Sequence, residues 1–73
     1  MSNPPTLLIQ LSQLQRDMRE QMRFQVKNLR LELRDNEIVL QGRACSYYHK
    51  QLAQELVISR NYAENLTNEI LVE

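Results

Sequence analysis

The sequence predicts an α+β fold: an α-β-β-α-β two-layer sandwich, with a three-stranded sheet carrying two helices on one face. Three observations predict it. Leu7, Leu11, Leu14, Met18 and Met22 recur three and four residues apart, which places them on one stripe of a helix. Leu29, Leu31 and Leu33, and then Ile38, Leu40, Gly42 and Ala44, recur every second residue on either side of Asp35-Asn36, the pattern of a hairpin. A second helical stripe, Tyr48, Leu52 and Leu56 with Ala53 and Val57, precedes a last alternating run from Leu66 to Val72.

Each element has a local reason. Asn3-Pro4-Pro5-Thr6 suits a helix start, because proline in the first turn lacks only an N–H that would have no partner there. The first helix is expected from about Pro5 to Arg23, with Leu8 and Ile9 widening its apolar stripe. From Phe24 the period changes to two. Arg30, Glu32 and Arg34 take the outer face of the first strand. Asp35 and Asn36 tolerate the positive φ of a tight turn. In the second strand Val39, Gln41 and Arg43 alternate with the inward set. Ser46 can accept a hydrogen bond from an orphan N–H and so cap a helix from about Tyr47 to Val57. Ser59 to Asn65 is polar and irregular. The third strand, Leu66 to Val72, turns Leu66, Asn68, Ile70 and Val72 inward.

Size and composition narrow the function. Residues 1–73 make one small domain, and a domain this small buries only about 60% of its unfolded surface. A thin core without a deep pocket favours a binding module over an enzyme. The formal net charge of zero argues against bulk nucleic-acid binding. A lone cysteine forms no internal disulfide, which fits a reducing compartment. The first residues lack a basic segment followed by an unbroken apolar run, and no stretch reaches the roughly 18 apolar residues of a membrane span. The expectation is a cytoplasmic chain, or one peripheral to a membrane.

Two segments carry a family resemblance. Asp35-Asn36-Glu37-Ile38-Val39-Leu40-Gln41-Gly42-Arg43-Ala44 resembles the central signature of the BON domain (bacterial OsmY and nodulation), roughly D-G-x-V-x-L-x-G-x-V. Leu66-Thr67-Asn68-Glu69-Ile70-Leu71-Val72 resembles its closing V-x-N-x-ϕ-x-V, where ϕ is apolar. "SYYHKQLAQE" between them is similar to the family's helix. The chain departs from the pattern at Asn36, where the family has glycine, at Tyr62-Ala63, in place of a glycine-valine pair, and at Ala44, in place of valine. The resemblance implies a non-enzymatic module that binds membrane phospholipid or a protein partner.

The candidate residues divide by role. Gly42 has no second glycine for a phosphate loop, so it marks a bulge or a close backbone approach, which would let a helix sit near the sheet. Cys45 and His49 are four apart, but no third member completes a catalytic or metal set. They read as a semi-buried cysteine and a surface histidine. Tyr48 lies on the helical stripe and reads as core, which leaves Tyr47 for a partner surface. Asn36 and Asn68 are structural, the first in the turn and the second holding a neighbouring turn or helix end through its amide. Arg16, Arg19, Arg23 and Lys27 recur at helical spacing beside the apolar stripe, an arrangement that can lie on anionic lipid. The same residues also read as a plain solvated face, with Glu20 pairing to Arg16 and Arg23.

The expected function is therefore a non-catalytic module with no cofactor and no metal, attaching to an anionic phospholipid surface or to a protein partner. The alternative is a self-associating structural domain, a homo-oligomer joined through the first-helix stripe or a sheet edge. Nucleic acid is not expected, since a GxxG clamp and strand aromatics are both missing.

Overall fold

The computed structural model describes residues 6–60 and 65–73. The elements run α1 (Thr6–Gln21), β1 (Val26–Arg34), β2 (Glu37–Ala44), α2 (Tyr47–Ser59), β3 (Leu66–Asn68) and β4 (Leu71–Val72). This is the expected α+β order, with one difference. The last strand is split, so the mixed sheet has four strands. Asn3 to Pro5, the side chain of Leu7 and the Tyr62-Ala63 pair lie outside what is described.

Leu11, Leu14, Met18 and Met22 of the first stripe are buried, whereas Leu8 and Ile9 are 49% and 52% exposed. These two sit on the outer side of α1, so they do not widen the core face. Past Gln21 the Met22 carbonyl accepts from both the Gln25 and Val26 amides, at 3.0 and 2.9 Å. That turn swings the chain into β1 and leaves Phe24 at its tip.

β1 and β2 pair antiparallel through a two-residue turn. Asp35 and Asn36 have φ of 50° and 66°, the paired positive values of the turn that matches strand twist in a hairpin. β2 is the central strand. It pairs parallel with β3 and, further along, with β4, and α2 makes the crossover that a parallel pair requires.

The split in the last strand has a local cause. The Asn68 side-chain oxygen accepts from the Ile70 amide at 3.1 Å. Such a side-chain turn competes with the strand ladder for that N–H. The ladder resumes one residue later, and the Glu69 and Glu73 amides donate to the Leu40 and Ala44 carbonyls. Ile70 drops into the core at the break.

Both helices pack on one side of the sheet. Leu14, Met18 and Met22 of the first meet Ala53 and Val57 of the second over Val26, Leu29, Leu40, Ala44 and Ile70. Ser46 caps α2 as expected, its hydroxyl accepting from the His49 amide. Tyr48, expected in the core, is 67% exposed. At about 100° per residue it points roughly 160° away from the centre of the face made by Ala53 and Val57. The 48, 52, 56 series drifts about 40° every four residues and reaches the core only towards its end. Leu52 and Leu56 are accordingly half-buried.

The other sheet face carries no helix, yet Val39, expected to face outward, is fully buried. Its strand neighbours are Glu32 and Thr67. Polar side chains close over it: Arg34 bridges Glu32 and Glu69, at 2.9 and 3.3 Å. Gln41 reaches Glu69, Arg30 reaches Gln41, and Thr67 bonds Glu37. The aliphatic stems of these residues shield the valine while their heads stay in water. The hydrogen bond and charge of Glu32, with the charge of Glu69, hold the Arg34 pKa above its ordinary value.

Candidate functional site

The distinctive surface is built around an irregularity in β1. Lys27 pairs with Arg43 and Arg30 with Gln41, so Asn28 and Leu29 together oppose Gly42. Two residues against one is a β-bulge. Asn28 takes the left-handed conformation that the extra residue requires, with φ of 53°. The bulge shifts the inward phase, so Val26 and Leu29, three apart, are both buried. At Gly42 β1 presses close. A Cβ there would stand 2.9 Å from Val26 Cγ1 and 3.0 Å from the Lys27 carbonyl oxygen. The close approach expected of this glycine is real, but the neighbour is β1 rather than a helix.

α1 runs beside this edge and reaches it with two side chains one turn apart. The Gln15 side-chain oxygen accepts from the Leu31 amide at 2.8 Å, and Arg19 Nε donates to the Leu29 carbonyl at 2.7 Å. Two outward backbone groups of an edge strand are thereby capped, one of the ways proteins stop an edge from pairing with foreign strands. The Arg19 bond also sets its guanidinium at the bulge and leaves both Nη groups out of that contact.

Three shallow grooves meet at Arg19. One, of about 440 Å³, is lined by Arg19, Asn28, Arg30, Gln41, Gly42, Arg43 and Leu71. The next is lined by Arg19, Arg23 and Lys27 with the bulge backbone, and the third by Ser12, Gln15, Arg16 and Arg19. Six of the nine Lys and Arg residues therefore form one belt, from the outer side of α1 around the β1 edge to the open sheet face. The net charge of zero conceals this segregation. Within the belt the opposing contacts are weak. Arg43 meets Glu73 at 3.5 Å and Arg30 meets Gln41 at 3.4 Å, both at the exposed surface.

The expected cationic set is thus brought together, with changes. Arg16, Arg19 and Arg23 are exposed beside one another, but Lys27 belongs to β1 and joins them through the groove rather than along a helix. Glu20 pairs with neither Arg16 nor Arg23; Asp17 is the paired acid on α1, 3.5 Å from Arg60. Arg30 and Arg43 were not singled out by sequence, because outward strand arginines read as solvated. Phe24 was missed too. It is 84% exposed, with the Arg23 guanidinium 5.2 Å from its ring centroid.

The remaining candidates lie apart from the belt. Tyr47 is exposed at the start of α2. Cys45 is exposed rather than semi-buried, because it follows the last residue of β2 and precedes the α2 cap. His49 Nδ1 lies 3.2 Å from the Ser46 hydroxyl, so its ring is engaged with the cap residue. Among the described residues no group of three or more metal-ligating side chains occurs, and no helix is long and apolar enough to cross a membrane. Asn68 is a pin between layers, its amide nitrogen donating to the Lys50 carbonyl and to Gln54 Oε1 of α2, at 3.0 and 3.1 Å. No family model, curated protein or solved structure matches this chain.

Proposed function

We propose that this domain is a non-catalytic module that attaches to anionic phospholipid surfaces through the outer side of α1, the kind of role that the BON-like motifs imply. The observation that carries this reading is the order of residues along that side. Ile9, Ser12, Arg16 and Arg19 fall within an arc of about 80° on α1, and Arg23 follows in the turn after it. Exposed apolar side chains, Leu8 and Ile9 at one end and Phe24 at the other, bracket the arginines. A helix lying on a bilayer uses this combination. The cations meet phosphate and carboxylate groups while the apolar ends enter the acyl boundary. The aromatic ring beside Arg23 suits the interfacial zone.

The test is co-sedimentation with vesicles of phosphatidylcholine alone and of phosphatidylcholine with phosphatidylserine. Each cation near an anionic surface is worth roughly 1 kcal/mol. Replacing Arg16, Arg23 and Lys27 by Gln should therefore weaken binding to the anionic vesicles by about 3 kcal/mol. Arg19 is left in place because it also anchors the β1 edge. Salt should release the wild type. A wild-type protein that ignores anionic vesicles at low salt removes the proposal.

A protein or self-contact remains the second reading, favoured by one observation. The β3–β4 edge presents Leu71 and Val72 exposed. No helix side chain caps it among the described residues in the way that Gln15 and Arg19 cap β1. A mass that rises with concentration in light scattering, without vesicle binding, would support it.

A further inference from the structure

We infer that the groove lined by Arg19, Arg30 and Arg43 at the β1 bulge is a discrete subsite for a terminal phosphate monoester. The inference rests on the proposed attachment to anionic surfaces and specifies the headgroup chemistry. Three arginines from three different elements line one groove of about 440 Å³. Each is a planar fork that can hold two phosphate oxygens at once. A phosphate monoester exposes three terminal oxygens and carries up to two charges. It can therefore engage several forks together, whereas a carboxylate headgroup offers two oxygens and one charge.

Construction favours Arg19 as the fixed member. Its Nε is held by the Leu29 carbonyl at 2.7 Å, so its orientation is set before any ligand arrives, and pre-set groups lose less freedom on binding. Arg30 and Arg43 are restrained only by long contacts, to Gln41 Oε1 at 3.4 Å and to the Glu73 carboxylate at 3.5 Å. Both contacts are exposed and are easily exchanged for a charge-assisted bond. Gly42 adds no side chain to the groove, and the exposed Leu71 gives it an apolar rim facing the rest of a lipid. The belt is continuous through Arg19, so the subsite and the outer side of α1 adjoin.

Two sources present this group, a lipid headgroup and a soluble phosphate ester or inorganic phosphate. The test uses vesicles containing phosphatidic acid or phosphatidylserine, matched in zeta potential, and separately a titration with inorganic phosphate followed by the Arg side-chain Nε–Hε resonances. The expected result is about tenfold tighter binding to the phosphatidic acid vesicles, from the added charge-assisted bonds. Arg30→Gln with Arg43→Gln should abolish that preference while phosphatidylserine binding persists. Arg16→Gln with Arg23→Gln should weaken both vesicle types in proportion and keep the preference. Saturable movement of the Arg19 resonance with inorganic phosphate, lost in the Arg30→Gln, Arg43→Gln variant, would establish the subsite for soluble ligands even without a lipid preference. Equal binding to both vesicle types together with no saturable phosphate shift overturns the subsite. It leaves the membrane reading intact if phosphatidylserine vesicles are bound. Proton spectra of each variant, compared with wild type, establish that the fold is retained.

Discussion

Gly42→Ala tests the bulge on which both the core and the basic belt depend. The added methyl would stand 2.9 Å from Val26 Cγ1, 3.0 Å from the Lys27 carbonyl oxygen and 3.2 Å from Leu29 Cα. Valine has little rotamer freedom with which to withdraw, and the other two atoms are backbone. The residue also has φ of +152°, where a side chain is strained whatever the space. Strain contributes about 1–2 kcal/mol and overpacking about 1–3 kcal/mol, so a loss of about 2–5 kcal/mol is expected. A domain of this length holds about 4–11 kcal/mol in total. Much of its stability should go, with a fall in Tm of about 8–40 °C. Urea unfolding followed by circular dichroism measures it. Adding Val26→Ala removes only the nearest of the three contacts, so the double-mutant cycle should return a coupling of about 1 kcal/mol rather than full rescue. A loss below about 1 kcal/mol for Gly42→Ala would mean that β1 does not press on β2 there. Full rescue by Val26→Ala would mean that the backbone is not close.

The other two expectations concern asparagines. Asn36→Gly should be neutral or mildly stabilising and Asn36→Val should cost about 1–2 kcal/mol, because only the second resists the left-handed conformation; equal Tm values would contradict the hairpin. Asn68→Leu removes three hydrogen bonds and leaves the Ile70 amide without its acceptor, while the Lys50 carbonyl keeps its place in the α2 ladder. Thermal unfolding should show a loss of about 2–4 kcal/mol, and a neutral result would dismiss the pin between β3 and α2.

Where a single periodicity governed an element, the sequence was a reliable guide. The α1 stripe from Leu11 to Met22, the Asp35-Asn36 turn and the Ser46 cap each follow from one local rule, and each stands at the expected residues. The failures came where two rules competed. Alternation alone would carry the last strand unbroken from Leu66 to Val72, but the Asn68 side chain takes the Ile70 amide and splits it. A four-residue series alone would bury Tyr48, but the helix turns faster than that series and faces it outward. Alternation would also expose Val39, which the hydrogen-bonded and salt-bridged polar side chains around it cover. The bulge did leave a trace. A single strand cannot bury both Val26 and Leu29 without an extra residue between them, and the lone strand glycine stands opposite. Four of the six belt residues were legible. Helical spacing gave Arg16, Arg19, Arg23 and Lys27, although Lys27 stands on β1, and Arg30 and Arg43 join them only through the pairing of β1 with β2.

Bulge, edge and belt have one origin. An ideal antiparallel β1 would continue the hairpin register, in which the numbers of paired residues sum to 71, as Arg34 with Glu37 and Arg30 with Gln41 do. Lys27 would then face Ala44. Insertion of Asn28 moves Lys27 opposite Arg43 instead, which sets two cations side by side across the ladder. Like charges in that position repel, and the sheet has no internal anion to separate them except Glu73 at 3.5 Å. Beside it the Leu29 carbonyl accepts from Arg19, which brings a third guanidinium to the place. An anion held between these cations would relieve that repulsion, which is the electrostatic basis of the proposed phosphate subsite.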